Sequence, residues 1–195
     1  MSGTPPPALR HLYDDVLAVL LRWSAPNQTQ EQLRRSFMAT LAQDPSAVAK
    51  SGPPAHITAS CLVLSADGSR VLLHLHGKAG IWLQFGGHLE TTDASVWDAA
   101  RREATEESGL SGLDPWPDPI DLDRHALGNR FGTCSEHLDV RFLAVVPAGS
   151  APLASDESTD IGWFPVDALP PNVAPDVPRL IAVCRDHLAA AARRG

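Results

Sequence analysis

Apolar side chains recur every three or four positions through the first forty residues. Leu9, Leu12, Val16, Leu20 and Trp23 fall on one helical face. "SAPN" breaks that run, and Thr29 with Gln32 three residues on predicts a capping box for a second helix that carries Leu33, Phe37 and Leu41. The pattern therefore predicts a helical hairpin over 8–43, followed by a linker, "QDPSAVAKSGPP", at 43–54.

From His56 the period changes. "HITASCLVLS" is β-branched and apolar, Asp67-Gly68 supplies a turn, and "RVLLHLH" follows, so a β-hairpin is expected. "IWLQF" predicts another strand closed by Gly86-Gly87, and a helix over about 94–107 follows with Thr92 or Asp93 as N-cap and Gly109 as C-cap. Further strands are expected in "PIDLDRHAL", "EHLDVRFLAVV" and "TDIGWFPV", and an amphipathic helix in "VPRLIAVCRDHLAAAARR". This order fits an α/β class fold, a mixed sheet between helices in an α/β/α sandwich. The expected organisation is an N-terminal helical extension over 1–50, a main domain over 55–170 and a C-terminal helix over 171–195 that packs on it.

The length of 195 residues suits one main core, and 44% hydrophobic with 20% charged residues is ordinary for a soluble globular chain. A net charge of -7 without a basic run argues against a nucleic-acid polymer as partner. Cys61, Cys134 and Cys184 are odd in number and far apart, which is neither a disulfide framework nor a zinc-ligand spacing, so free thiols in a reducing cytoplasm are expected. The N-terminus lacks the regions of a signal peptide and no run of eighteen apolar residues occurs, so no membrane association is expected.

"RREATEESGL", 101–110, departs from ordinary helix chemistry. Glu103, Glu106 and Glu107 crowd a helix C-terminus, where the macrodipole makes each acid unfavourable by about 0.3–1 kcal/mol. Their spacing puts them on one face, with Val96, Ala100 and Ala104 on the opposite arc. A solvated acidic face is one reading; a hard divalent cation held by the three carboxylates is the other, since it would offset both dipole and repulsion.

The whole stretch from Gly86 to Leu110 resembles the Nudix box: glycine, five residues, glutamate, seven residues, then Arg-Glu-aliphatic-any-Glu-Glu-any-glycine-aliphatic. Arg102 to Leu110 matches the second half at each fixed position. The first half departs from it. Counted from Gly87 the glutamate position holds Asp93, and the box is one residue longer than usual, so Asp93 is expected to replace that glutamate as a cap or supporting acid. The resemblance covers about 55–170 and leaves 1–50 unexplained.

The resemblance implies a Nudix-type sandwich and a hydrolase that cleaves a small-molecule nucleoside diphosphate linked to another group, by attack of water on phosphorus with Mg²⁺ or Mn²⁺. It implies Glu106 and Glu107 as metal ligands, Glu103 as ligand or base, the Gly86 carbonyl as a further ligand, and a loop acid, Glu157, as the rival base. Arg102, one turn before Glu106, would pair with that carboxylate and orient it. A nucleotide sensor without turnover is the alternative function. His137 and Asp139 would share one sheet face, and His88 is a candidate phosphate contact. Trp82 and Trp163 suit core packing or base stacking, with core expected. The hairpin is expected to pack on the main domain or on a second subunit of a homodimer, without supplying catalytic ligands.

Overall fold

The switch in period at Ala55 is where the sheet begins. In the computed structural model, which describes residues 4–127, 134–147, 149–153 and 158–193, two helices come first, α1 (Arg10–Arg22) and α2 (Gln28–Gln43). Strands β1 (Ala55–Ser65), β2 (Arg70–His76), β3 (Ile81–Leu83) and β4 (Phe85–His88) lead into helix α3 (Val96–Ser108). β5 (Asp121–Ala126), β6 (Glu136–Val146), β7 (Ser158–Pro165) and helix α4 (Val177–Ala192) complete the chain. Among the described residues no helix is long and apolar enough to cross a membrane.

The sheet is mixed. Its order is β3-β2-β1-β6-β5, with β4 also on β1 and β7 also on β2. β1 and β6 run parallel and pair along their full length, from Ala55↔Glu136 to Ser65↔Val146. The other edge of β1 is divided: Thr58 to Cys61 pair with β4, and Val63 and Leu64 pair with β2.

Alternation then gives the sheet two different faces. Ile57, Ala59, Cys61 and Val63 pack against α1, α2 and α3 in one core. Leu62 and Leu64 pack with Val177, Leu180 and Cys184 of α4 in a second core. His56, Thr58 and Ser60 share the α4 side but lie outside that apolar cluster, so this end of the face is polar.

The hairpin docks on the main domain. Leu12, Val16 and Leu20 of α1 and Phe37 and Leu41 of α2 are wholly buried, each worth about 1.5–3 kcal/mol of transfer free energy. The buried Gln30 amide donates to the Leu122 carbonyl at 2.9 Å and accepts from the Leu122 N–H at 2.8 Å, so a side chain satisfies both backbone groups where β5 is the edge strand among the described residues.

Four local expectations are corrected. Asn27, not Thr29, caps α2: its side chain accepts from the Gln30 N–H at 3.0 Å from an extended backbone. The linker is packed, with a 3₁₀ turn at Pro45–Val48 and Ala47, Val48 and Ala49 buried in the first core. "IWLQF" is split at Gln84 because β3 pairs with β2 whereas β4 pairs with β1, which places Gly86 and Gly87 inside a strand. Helix α3 is capped by Ser95, whose hydroxyl accepts from the Asp98 N–H at 3.0 Å, rather than by Thr92 or Asp93.

Candidate active site

Helix α3 is fixed at both ends. Besides the Ser95 cap, the Asp15 carboxylate of α1 accepts from the Val96 N–H at 2.8 Å, so an N-terminal residue supplies negative charge to the positive end of the helix. At the other end Gly109 takes a left-handed conformation, φ 67°, and its N–H returns to the Thr105 carbonyl. Val96, Ala99, Ala100 and Ala104 face the core, and the small side chains allow the helix to sit close to β1 and β4.

The three glutamates share a helix but not an environment. Glu106 has its side chain 61% exposed, Glu103 16% and Glu107 6%. Glu107 Oε2 accepts from the Gly86 N–H at 2.8 Å, and its Oε1 lies 3.8 Å from His74 Nδ1, which is 2.6 Å from the Ser158 hydroxyl. Burial, then the charge of His76, holds the His74 pKa down at about 4. Glu103 lies against Gly87 so closely that a Cβ there would meet its Oε1 at 2.5 Å. On the other face of the same strand a Cβ on Gly86 would meet Ser60 Cβ at 2.5 Å. Gly86 is thus required by the close approach of β1, and a side chain at Gly87 would displace the Glu103 carboxylate.

Arg102 gathers the loop before the helix. Its Nε and Nη2 donate to the two oxygens of Asp93 at 2.8 and 3.0 Å, Nη2 also donates to the His88 carbonyl at 3.0 Å, and Nη1 donates to Glu103 at 2.9 Å and Glu106 at 3.3 Å. Asp93 is buried and accepts from the Glu90 N–H at 2.7 Å as well. Asp93 therefore supports Arg102. Arg102 does pair with Glu106, but Asp93 is the partner that dominates: its hydrogen bonds hold the guanidinium charged, with pKa well above the ordinary value despite desolvation.

Gly86 and Gly87 also line a cleft of about 820 Å³ on the polar end of the opposite face. Its floor is built on Arg141, fully buried, with Nε donating to Asp139 at 2.9 Å and Nη2 to Asp123 at 3.0 Å and Asp176 at 2.6 Å. Thr58 and Ser60 donate to the same Asp139 carboxylate at 3.1 and 2.6 Å. Lys78, Arg124 and His125 bring positive or protonatable groups to the walls. Burial works against a charged His125, yet the Asp123 hydrogen bond at 2.9 Å and the charge of Asp139 outweigh it and raise its pKa.

His137 and Asp139 both line the cleft, in agreement with their shared face. His88 faces histidines instead, with ring centroids 5.0 Å from His56 and 5.1 Å from His137. Trp82 packs edge-on to Phe164 at 4.8 Å, and Trp163 donates to the Ser150 carbonyl; neither lines the cleft. Glu157 lies outside the described residues. Sequence reasoning missed Thr58, Ser60 and Arg141. Their signal was present as polar residues at alternate positions of otherwise apolar strands, His56-Thr58-Ser60 and His137-Asp139-Arg141.

The geometry now has a family context. The NUDIX domain model matches residues 54–184. No curated protein matches the sequence. Among solved structures, a NUDIX-family hydrolase from Clostridium perfringens superposes with a TM-score of 0.57 at 23% identity, covering 68% of this chain and 97% of that one. A C. elegans Ap4A hydrolase binary complex gives 0.56 at 17% identity, covering 69% and 98%. The NUDIX domain of Shewanella oneidensis NrtR complexed with ADP ribose gives 0.53 at 18%, covering 77% and 97%. These likenesses carry the fold, while the domain match over most of the chain carries the family: the chain belongs to the Nudix family.

Proposed function

We propose that the protein is a divalent-cation-dependent pyrophosphohydrolase of the cytoplasm, cleaving a nucleoside diphosphate linked to a second moiety. The observation that carries this reading is the placement of Glu103 and Glu107 directly against Gly87 and Gly86, the two residues that also form the wall of the 820 Å³ cleft. A phosphate chain in the cleft would reach box carboxylates across one strand.

The donor set fits Mg²⁺ or Mn²⁺. All the side-chain donors are carboxylate oxygens, and with the Gly86 carbonyl they suit a hard ion that keeps waters and substrate phosphates among its ligands. Bound there, the ion would neutralise the diphosphate and lower the pKa of a coordinated water. Glu106 is the exposed ligand and Glu107 the anchored one, held by the Gly86 N–H. Glu103 is the base, held in place by Gly87 and Arg102, and takes a proton from the attacking water. Lys78 and Arg124 meet the negative charge of the substrate at the cleft walls.

The named ligands of the neighbours, Ap4A and ADP ribose, both join adenosine to another group through a phosphate chain, and they define the first substrates to test. Purified protein is assayed against a panel of such compounds with and without Mg²⁺ for release of monophosphate. Turnover abolished by chelation and restored by Mg²⁺ or Mn²⁺ is expected. Full turnover without a divalent ion sinks the proposal, and binding without turnover across the panel establishes the sensor instead.

A further inference from the structure

At the end of β4 that follows the two box glycines, four potential ligands converge from places far apart in sequence. His56 is on β1, His88 on β4, His137 on β6 and Cys134 just before β6. One donor atom from each lies within 4.8 Å of all the others. We propose that these four residues form a tetrahedral site for a transition-metal ion, zinc by the chemistry of the donors.

The register builds the group. His56 and His137 are Cα partners across the parallel β1–β6 pair, with ring centroids 5.4 Å apart, and β4 brings His88 beside them through the Thr58↔His88 pairing. The hydrogen bonds leave lone pairs where a cation would use them. His56 Nδ1 is 2.8 Å from the Pro53 carbonyl, which can only accept, so Nδ1 carries the proton and Nε2 is left as an acceptor, engaged in this structure by the His88 Nε2–H and open to a cation in its place. That is the arrangement by which a ligating histidine is fixed through its other nitrogen. His56 Nε2 lies 3.1 Å from His88 Nε2, and His137 Nε2 is buried with no hydrogen-bond partner among the described residues. The three imidazoles lie tilted or edge-on to one another with one hydrogen bond among them, and an ion between them would replace that bond with a lone pair from each ring.

The dimensions agree. Zn–N bonds of about 2.0–2.1 Å and a Zn–S bond of about 2.3 Å place tetrahedral ligand atoms roughly 3.3–3.6 Å apart. The 3.1 Å between His56 and His88 needs only a slight opening and the 4.8 Å span a modest contraction. Three imidazoles and a thiolate favour zinc over the hard ions that suit carboxylates. The site would tie β1, β4 and β6 together at the mouth of the cleft, which His137 lines. It does not depend on the function proposed for the box.

The test uses the full chain, stripped with chelator and held in excess Mg²⁺ so that the box carboxylates are occupied. Titration with Co²⁺ is expected to give one equivalent of the strong visible bands of four-coordinate cobalt with a near-ultraviolet sulfur-to-cobalt band, both displaced by one equivalent of Zn²⁺. Bound zinc should also raise the melting temperature. Cys134→Ser should lose the sulfur band and weaken zinc binding by at least the roughly 10- to 100-fold that loss of a supporting contact typically costs. His88→Asn should weaken zinc in the same way while keeping the sulfur band. Weak cobalt spectra of oxygen-ligand type in the parent chain overturn the proposal, and so does a sulfur band that survives Cys134→Ser.

Discussion

Gly87→Ala tests the chemistry of the box more sharply than removing a carboxylate, because it keeps every carboxylate and moves one of them. The added Cβ would sit 2.5 Å from Glu103 Oε1, 2.7 Å from its Cδ and 2.9 Å from Oε2. Ordinary contact begins near 3.4 Å, so the carboxylate must retreat by about 0.9 Å. The displaced atoms are the end of a flexible side chain that is 16% exposed, so the chain should fold with stability changed by no more than about 1 kcal/mol. The retreat moves the base away from the water and disturbs its 2.9 Å hydrogen bond from Arg102. A misplacement of about 1 Å at a reacting centre costs on the order of 100-fold in rate, or about 2.7 kcal/mol of barrier. The assay is kcat at saturating Mg²⁺ on the best substrate of the panel, with the melting temperature measured in parallel. Gly86→Ala is the contrast: its Cβ meets Ser60 Cβ and the Ala59 carbonyl, atoms of the sheet itself, so stability should suffer first. Unchanged kcat in Gly87→Ala refutes the role given to Glu103. An unfolded Gly87→Ala refutes the steric reasoning.

The two remaining box ligands should separate by burial: Glu106→Gln and Glu107→Gln both weaken Mg²⁺ binding, measured by the metal dependence of rate, but only Glu107→Gln should lower the melting temperature of the metal-free protein, through a weaker bond from Gly86. Asp93→Asn removes the charged partner of Arg102 and should cost up to about 3 kcal/mol by denaturant titration, less than a fully buried pair because Arg102 keeps partial contact with water. Asp15→Ala removes a contact to the first turn of α3 and should cost about 1 kcal/mol with a fall in kcat and little change in metal affinity. His74, His88 and His137 are held by burial at about 4, 3 and 4 in the folded chain, so in metal-free protein the unfolded state binds protons first as pH falls below about 6.5. Stability is then fully present above that pH and drains away toward pH 4 and below; a denaturation midpoint flat from pH 7.5 to 4.5 contradicts this.

The legible parts of the fold were those governed by one element at a time. The strand "EHLDVRFLAVV" was read over its true bounds, and the acids of α3 stood out because they violate the dipole preference of any isolated helix. Caps were less legible: Asn27 and Ser95 compete with polar neighbours that could cap equally well, and tertiary contacts such as Asp15 to Val96 decide between them. The linker misled because Pro45 and Ser46 read as a break while the apolar Ala47, Val48 and Ala49 were already destined for the core. Residues of the cleft were hardest to see. Arg141 owes its position to aspartates from two other segments besides Asp139 of its own strand, and the histidine and cysteine group depends on strand register, which no spacing along the chain encodes.

The parallel pairing of β1 with β6 has a consequence for biosynthesis. Partners in this pair are 81 residues apart, and ten of the eleven residues of β1 end up buried. A nascent chain that has emerged only as far as α3 already holds Gly86, Gly87 and the box glutamates, with β2 and β4 available to one edge of β1. The other edge has no partner until Glu136 and the residues after it leave the ribosome. The box side of the site can thus assemble early, whereas the cleft side waits for a long-range closure, the kind of contact that slows folding. During that interval an apolar strand edge is open to other chains. The N-terminal hairpin is made before β1 and packs on its core-facing side, so it is in position to shield that strand while β6 is still being synthesised.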